Sequence, residues 1–207
     1  MGKKMHNQRC EDCGKARDAK LQLEEKRKQE SELQAKWNKI CPPIYCETDI
    51  SRLHPKLIDS VLSWELKQRG IGVIGAAGAG KTRAAYLMLK KTFEAGESVD
   101  SVTSTGFAKF VSDQFSDEPE EKDAARKKIA SLRKCALIFI DDLGKCKFTE
   151  RVELEFYDLL EHRTSHNLPI IWTANANAKE ILSMLSKDRG EPILRRLSEF
   201  SDVITIP

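Results

Sequence analysis

No run of 18 or more apolar residues occurs in the chain, so no segment of it is expected to cross a membrane. An apolar leader is missing too. Met1 to Gln8 lead directly into charged residues, which argues against a secretory signal. Gly2 follows Met1, but His6 stands where a myristoylation motif needs Ser or Thr. The expected location is therefore cytoplasmic. Net charge is also scarce, at +3 from 35 Lys/Arg and 32 Asp/Glu, and that balance alone points to no partner. Six cysteines without a leader do not read as a disulfide framework. Cys135 heads an apolar strand and Cys146 follows an acidic pair, and both read as structural or incidental. No internal repeat is visible.

What is present suits one core domain with an appendage: 207 residues, 40% of them hydrophobic. Residues 1–40 hold 11 Lys/Arg against 7 Asp/Glu, so the first arm is mildly basic. A second basic run follows at Arg126, Lys127 and Lys128, with Arg133 and Lys134 beyond it. Such runs are ordinarily solvated helix faces, with nucleic-acid contact the weaker alternative. Residues 15–39 predict one charged helix, ~37 Å long at the usual rise. Its apolar stripe, Ala16, Ala19, Leu23, Leu33, Trp37 and Ile40, is too narrow to hold a core. Pro42 and Pro43 end it. Residues 1–46 are therefore read as an arm suited to a partner, and residues 47–207 as the core domain.

From about residue 50 short apolar runs alternate with helices. Strands are predicted at 71–74, 99–104, 136–140, 169–173 and 203–206. The helices between them are predicted at 82–94, 107–115, 120–133 and 150–166, two short ones precede the last strand, and one at 55–69 leads into the first. Continuous apolar strands joined by helices predict a five-stranded parallel sheet covered on both faces.

Two segments carry the chemistry. Gly75, Ala76, Ala77, Gly78, Ala79, Gly80, Lys81 and Thr82 fit the phosphate-loop pattern in full, between an apolar strand and a helix. Its glycines let backbone N–H groups turn inward around phosphates, and the helix start adds a positive dipole end. Lys81 is expected at the β- and γ-phosphates and the Thr82 hydroxyl at Mg²⁺. Arg83, the next residue, is grouped with the nucleotide-binding set. The second segment is the strand ending in Asp141 and Asp142. Two acids are costly in a core but useful in a crevice beside Mg²⁺. Asp141 suits the metal, and Asp142 suits a base that polarises water. Asn175 closes the strand at 169–173, where it is suited to orienting water or the γ-phosphate, with Thr173 as a weaker alternate. Arg189, Arg195 and Arg196 cluster near the end. One of them is a candidate to reach a neighbouring subunit's γ-phosphate.

Taken together, Gly75–Thr82, Ile138–Gly144, Thr173–Asn175 and Arg195–Leu197 resemble the DnaC/DnaI-type AAA+ ATPases, the loaders of replicative helicases, with transposase-helper ATPases as close relatives. The resemblance covers roughly residues 41–207 and includes Cys41–Tyr45, similar to a Pro-Pro-x-Tyr segment that precedes such cores. It implies a P-loop core without a C-terminal lid, the chain stopping at Pro207 after its fifth strand. It also implies ATP and Mg²⁺ as cofactors, Asp142 as catalytic acid, Asn175 as sensor 1 and Arg196 as arginine finger. Asp142 replaces the more usual Glu, so slow hydrolysis is expected. The implied partners are a replicative helicase held by residues 1–46, single-stranded DNA, and further copies of the chain when ATP is bound.

Cys10 and Cys13, followed by Gly14, look like half of a zinc knuckle, a finger that loaders often carry. A tetrahedral site needs four ligands. Cys41 and Cys46, or His6, are the candidates to complete it, but the long helix separates the pairs. Two other functions stay open beside loading: a transposase helper that binds duplex DNA, and a non-hydrolysing ATP-dependent protein that binds a helicase.

Overall fold

The computed structural model describes the backbone of residues 3–67, 69–175 and 177–207, and the side chains of these from residue 15 onward. The chain divides into two units, Met1–Lys39 and Ile40–Pro207. The first is formed by helix α1 (Lys3–Ile40), whose residues 15–36 are all exposed, Leu21, Leu23 and Leu33 among them. That is the outcome its narrow apolar stripe predicts. α1 runs helical through Cys10 and Cys13, whose side chains lie outside the described residues. Among the described residues no group of three or more His, Cys, Asp or Glu could hold a metal ion, and zinc gains no support. Cys46 instead turns its thiol to the carbonyls of Cys41 and Pro42, at 3.7 and 3.6 Å. Among the described residues no helix is long and apolar enough to cross a membrane.

The second unit opens with α2 (Pro43–Cys46), a 3-10 turn at Ile50–Arg52 and α3 (Pro55–Leu62). Five strands follow, β1 (Gly70–Ile74), β2 (Val99–Thr103), β3 (Leu137–Leu143), β4 (Ile170–Ala174) and β5 (Ser201–Thr205). They are joined by α4 (Lys81–Glu94), α5 (Ser104–Asp113), α6 (Pro119–Lys134), α7 (Glu150–Ser165), α8 (Ala178–Ser183) and α9 (Gly190–Glu199). All pairs are parallel, in the order β2-β3-β4-β1-β5. Helices cover both faces. Ile138 and Ile140 of β3 join a core with Phe107 of α5, Phe156 of α7 and Leu197 of α9. The intervening Phe139 meets Tyr86 of α4 edge-on at 5.1 Å on the other side. β3 is an interior strand covered on both sides, and both of its faces are apolar, the pattern of a fully covered parallel strand.

The five-stranded parallel P-loop fold is as expected, with two local departures. The helix predicted at 55–69 stops at Leu62. Lys91 of α4 donates to the carbonyls of Val61, Leu62 and Trp64, each at 3.1 Å, and so satisfies the groups a longer helix would have used. Trp64 then swings into the core, its indole N–H donating to Thr92 at 3.1 Å. The helix predicted from residue 107 begins at Ser104, because the Thr103 hydroxyl caps it by accepting the Gly106 N–H at 2.9 Å.

Order along the sheet positions the site. β1, β3 and β4 lie close together, so the segments leaving their carboxyl ends converge on one crevice, the usual ligand position in such sheets.

Candidate nucleotide site

The phosphate loop leaves β1 with Gly75, whose N–H donates to the Ala174 carbonyl at 3.2 Å. Gly78 and Gly80 adopt φ of 82° and 85°, a left-handed conformation that side-chain-bearing residues rarely hold. A Cβ on Gly78 would meet nothing within 4 Å, so that face of the loop is open. The first backbone bond of α4 runs from Ala84 N–H to the Gly80 carbonyl at 3.0 Å. The N–H groups of Lys81, Thr82 and Arg83 precede it and have no acceptor within the helix, which makes this end ready for an anion.

Lys81 is 5% exposed, and its ammonium group donates to the carbonyls of Gly75 and Ala76 (2.9 and 2.8 Å) and to Asn175 Oδ1 (2.6 Å). Burial lowers its pKa, partly offset by the charges of Asp142 and Asp141. Thr82 donates to Asp141 Oδ1 at 2.9 Å. Asp141 also receives the Thr173 hydroxyl at 2.5 Å. Burial pushes the Asp141 carboxyl above its ordinary value, these two hydrogen bonds pull it back, and Asp142 raises it further.

β3 does not simply end at the acids. Ile140 pairs with Trp172 and Leu143 with Ala174, three residues along β3 against two along β4, so one extra residue sits in a bulge at Asp141 and Asp142. Asp142 takes φ of 57°, unusual for a residue with a side chain. Three groups over-determine that geometry: Thr173 Oγ1 accepts the Asp142 N–H at 3.1 Å, Ser104 donates to its carbonyl at 2.7 Å, and Asn175 Nδ2 donates to Oδ1 at 2.9 Å. The second carboxylate oxygen faces Lys145, 3.0 Å away. A bulge of this kind re-aims a side chain, and here it turns Asp142 towards the loop.

Lys81, Thr82, Arg83, Asp142, Lys145, Asn175 and Tyr45, with Ala77, Gly78 and Gly80 of the loop, line one cavity of about 440 Å³. Thus the expected residues Lys81, Thr82, Asp141, Asp142 and Asn175 meet in one place. Their chemistry suits a polyphosphate with Mg²⁺: backbone donors and an ammonium for the anion, a hydroxyl and carboxylate oxygen for a hard cation.

Two expected residues stand apart from this group. Arg83 lines the same cavity, but its guanidinium donates to the Ile44 carbonyl at 2.9 Å and lies over the Tyr45 ring at 5.5 Å. Arg196 sits near the start of β5, at the opposite end of the sheet from the loop, and pairs with Glu161 at 2.6 Å. Arg195 lies beside Glu199 at 3.7 Å on the same helix. Sequence reasoning passed over Ser104 and Lys145. Lys145 gave a signal, a cation three residues after the presumed base, whereas Ser104 gave none before the helix start was known.

The profile of the family described as IstB-like ATP binding protein matches residues 25–207. No curated protein matches the chain. Among solved structures, DnaI is similar at 20% identity and a TM-score of 0.67, covering 81% of this chain and 95% of that one. The DnaC helicase loader is similar at 17% identity and a TM-score of 0.61, covering 80% and 99%. AMPPCP-bound DnaA from Aquifex aeolicus follows at 16% identity and a TM-score of 0.57, covering 73% of this chain, which spans 44% of the DnaA chain. At these identities the likenesses bear on the fold, and all three share it.

Proposed function

Because the chain belongs to the IstB-like ATP-binding family, we propose that it is an AAA+ ATPase that loads a replicative helicase onto DNA under the control of ATP, binding single-stranded DNA as it does so. The observation that carries the ATPase reading is the convergence of Lys81, Thr82, Asp142 and Asn175 on one cavity, with Asp141 hydrogen-bonded to Thr82 beside it. In this reading the loop N–H groups and Lys81 hold the phosphates, and Thr82 and Asp141 hold Mg²⁺. The bound ion supplies charge neutralisation at the phosphates. Asp142, fixed by the bulge and by Asn175, orients the attacking water and accepts its proton. Asn175 links Lys81 to Asp142, so it relates the phosphate end of the site to the base. Asp142 is one methylene shorter than Glu, and turnover is correspondingly slow.

Arg196 is the arginine finger in this reading. Its distance from the chain's own loop supports service to a neighbouring copy, with Glu161 as its partner in the isolated subunit. Residues 1–46 hold the helicase, in keeping with the exposed length of α1. The loader assignment draws on the shared fold of DnaI and the DnaC helicase loader. A structure of DnaA bound to AMPPCP and single-stranded DNA, of similar fold at a TM-score of 0.57, supports the DNA part. The family description names ATP binding and does not separate a loader from a transposase helper.

The test is ATP hydrolysis by the purified protein, alone and with single-stranded DNA, beside Lys81→Ala and Arg196→Ala. DNA-stimulated turnover is expected in the wild type and not in either variant. Mixing Arg196→Ala with Asp142→Asn subunits is expected to restore turnover, since one supplies the base and the other the finger. Tight ATP binding with no turnover under any condition would overturn the role of Asp142 and leave an ATP-dependent binding protein.

A further inference from the structure

Lys145 is a cation of the site to which the loader reading gives no task. Its backbone is fixed: Gly144, at φ of 82°, turns the chain, and the Lys145 N–H donates to the Asp142 carbonyl at 3.1 Å. Its side chain is not, with 62% exposed against 22% for Asp142. Asp142 is the anchored member of the pair, held by Thr173, Ser104 and Asn175. Lys81, by contrast, is pinned by two carbonyls and Asn175. Lys145 also lines the same cavity as Lys81, Thr82 and Asn175. The Asp142 carboxylate, through its hydrogen bond and charge, holds Lys145 above the ordinary lysine range, so the group remains a cation.

We propose that Lys145 is an exchangeable counter-cation, which pairs with Asp142 when the site holds no triphosphate and moves to the terminal phosphate when a nucleoside triphosphate binds. The inference rests on the ATP-site reading above and adds to it a residue that distinguishes triphosphate from diphosphate. The physical ground is competition for one flexible ammonium. An exposed pair with a single carboxylate is weak, while a terminal phosphate offers more charge and more acceptor oxygens to the same group. A diphosphate ends short of that position and leaves Lys145 on Asp142. The exchange has a second consequence: it uncovers the Asp142 oxygen opposite Asn175 only when there is a terminal phosphate to attack.

Calorimetric titration of the full-length protein with ATP and with ADP, both with Mg²⁺, tests this. Lys145→Ala is expected to lose on the order of fivefold of the ATP-over-ADP preference, with ADP affinity unchanged. Lys145→Arg is expected to keep most of it. Asp142→Asn, which cannot hydrolyse ATP and no longer retains the lysine, is expected to bind ATP more tightly. The double variant Asp142→Asn with Lys145→Ala is expected to lose that gain. An alanine variant with the wild-type ATP/ADP ratio, or one weakened equally for both nucleotides, would overturn the exchange while leaving the ATP site intact. Failure of the wild type to bind either nucleotide would overturn the exchange and the reading beneath it together.

Discussion

The hydroxyl of Thr173 lies 2.5 Å from Asp141 Oδ1 and at the same time accepts the N–H of Asp142 at 3.1 Å. One buried side chain therefore holds the acid suited to the metal and fixes the backbone of the acid suited to the base. Removing the hydroxyl without changing shape separates these effects from packing. Thr173→Val is expected to lower stability by about 1–3 kcal/mol, because a part-buried carboxylate and a part-buried N–H each lose a partner. Thr173→Ser, which keeps the hydroxyl, is expected to recover most of it. Urea denaturation gives the stability change, and Mg²⁺-dependent nucleotide binding shows whether the acids have moved.

Asp141 makes the stability of the protein without nucleotide depend on pH. Burial raises its folded pKa above 3.8, against the pull of Thr173 and Thr82. A group raised on folding contributes stability in full below its unfolded pKa and loses it as pH rises through the folded value. At neutral pH the ionised carboxylate is therefore a cost to the nucleotide-free protein. Asp141→Asn keeps an oxygen acceptor for Thr82 and Thr173 but has no charge to bury. Without Mg²⁺ it is expected to be more stable than the wild type at pH 7, with the difference shrinking towards pH 4. Thermal unfolding across that range gives the answer, and a constant difference at all pH values would show that desolvation of Asp141 is not its source. Added Mg²⁺ and ATP are expected to favour the wild type instead.

Much of this site was legible in the sequence, for a physical reason. Gly75–Thr82 and the acids after Leu137–Ile140 sit at fixed offsets from strand ends, and a parallel sheet brings strand ends together whatever the loops do. The bulge was not legible. Its extra residue shows only in the pairing of Ile140 and Leu143 with β4, and nothing local to Asp142 announces a φ of 57°. Arg83 lines the same cavity as Lys81 and Thr82, yet its guanidinium is engaged by the Ile44 carbonyl, since one step round a helix turns a side chain by about 100°. The end of α3 was missed because Lys91, 29 residues beyond Leu62, supplies the capping donor.

Arg83 also yields a test. Tyr45 stacks on Tyr86 with ring centroids 5.1 Å apart, and Arg83 lies over the Tyr45 ring while holding the Ile44 carbonyl. The three residues fasten the segment before the core to α4. Burial raises the Tyr86 pKa to about 12, so its hydroxyl stays protonated at neutral pH. Arg83→Ala and Tyr45→Ala are each expected to cost about 1 kcal/mol of stability. In a double-mutant cycle they are expected to cost less together than the sum. ATP affinity is expected to fall far less than in Lys81→Ala. An Arg83→Ala variant with wild-type stability and no ATP binding would return Arg83 to the phosphates.

Arg163 presents the opposite case, a full charge in the core with no part in the site. It is completely buried, and its guanidinium donates to the carbonyls of Leu132 and Cys135 at 2.9 Å, Ala136 at 3.3 Å and Pro169 at 2.8 Å. Desolvation brings its pKa down to about 10, which still leaves it charged at neutral pH. These four carbonyls belong to the end of α6 and the segments entering β3 and β4, so one side chain ties the starts of two central strands. Five donors in a planar fork can serve four acceptors, whereas the three donors of a lysine on a shorter reach cannot. Arg163→Met fills similar volume but leaves the carbonyls without donors, and is expected to destabilise by about 3–5 kcal/mol. Arg163→Lys is expected to recover less than half of that. Both follow from urea denaturation midpoints at constant m-value. If the methionine variant were as stable as the wild type, the cost of burying the charge would equal everything its hydrogen bonds return, and the strand starts would be held by packing alone.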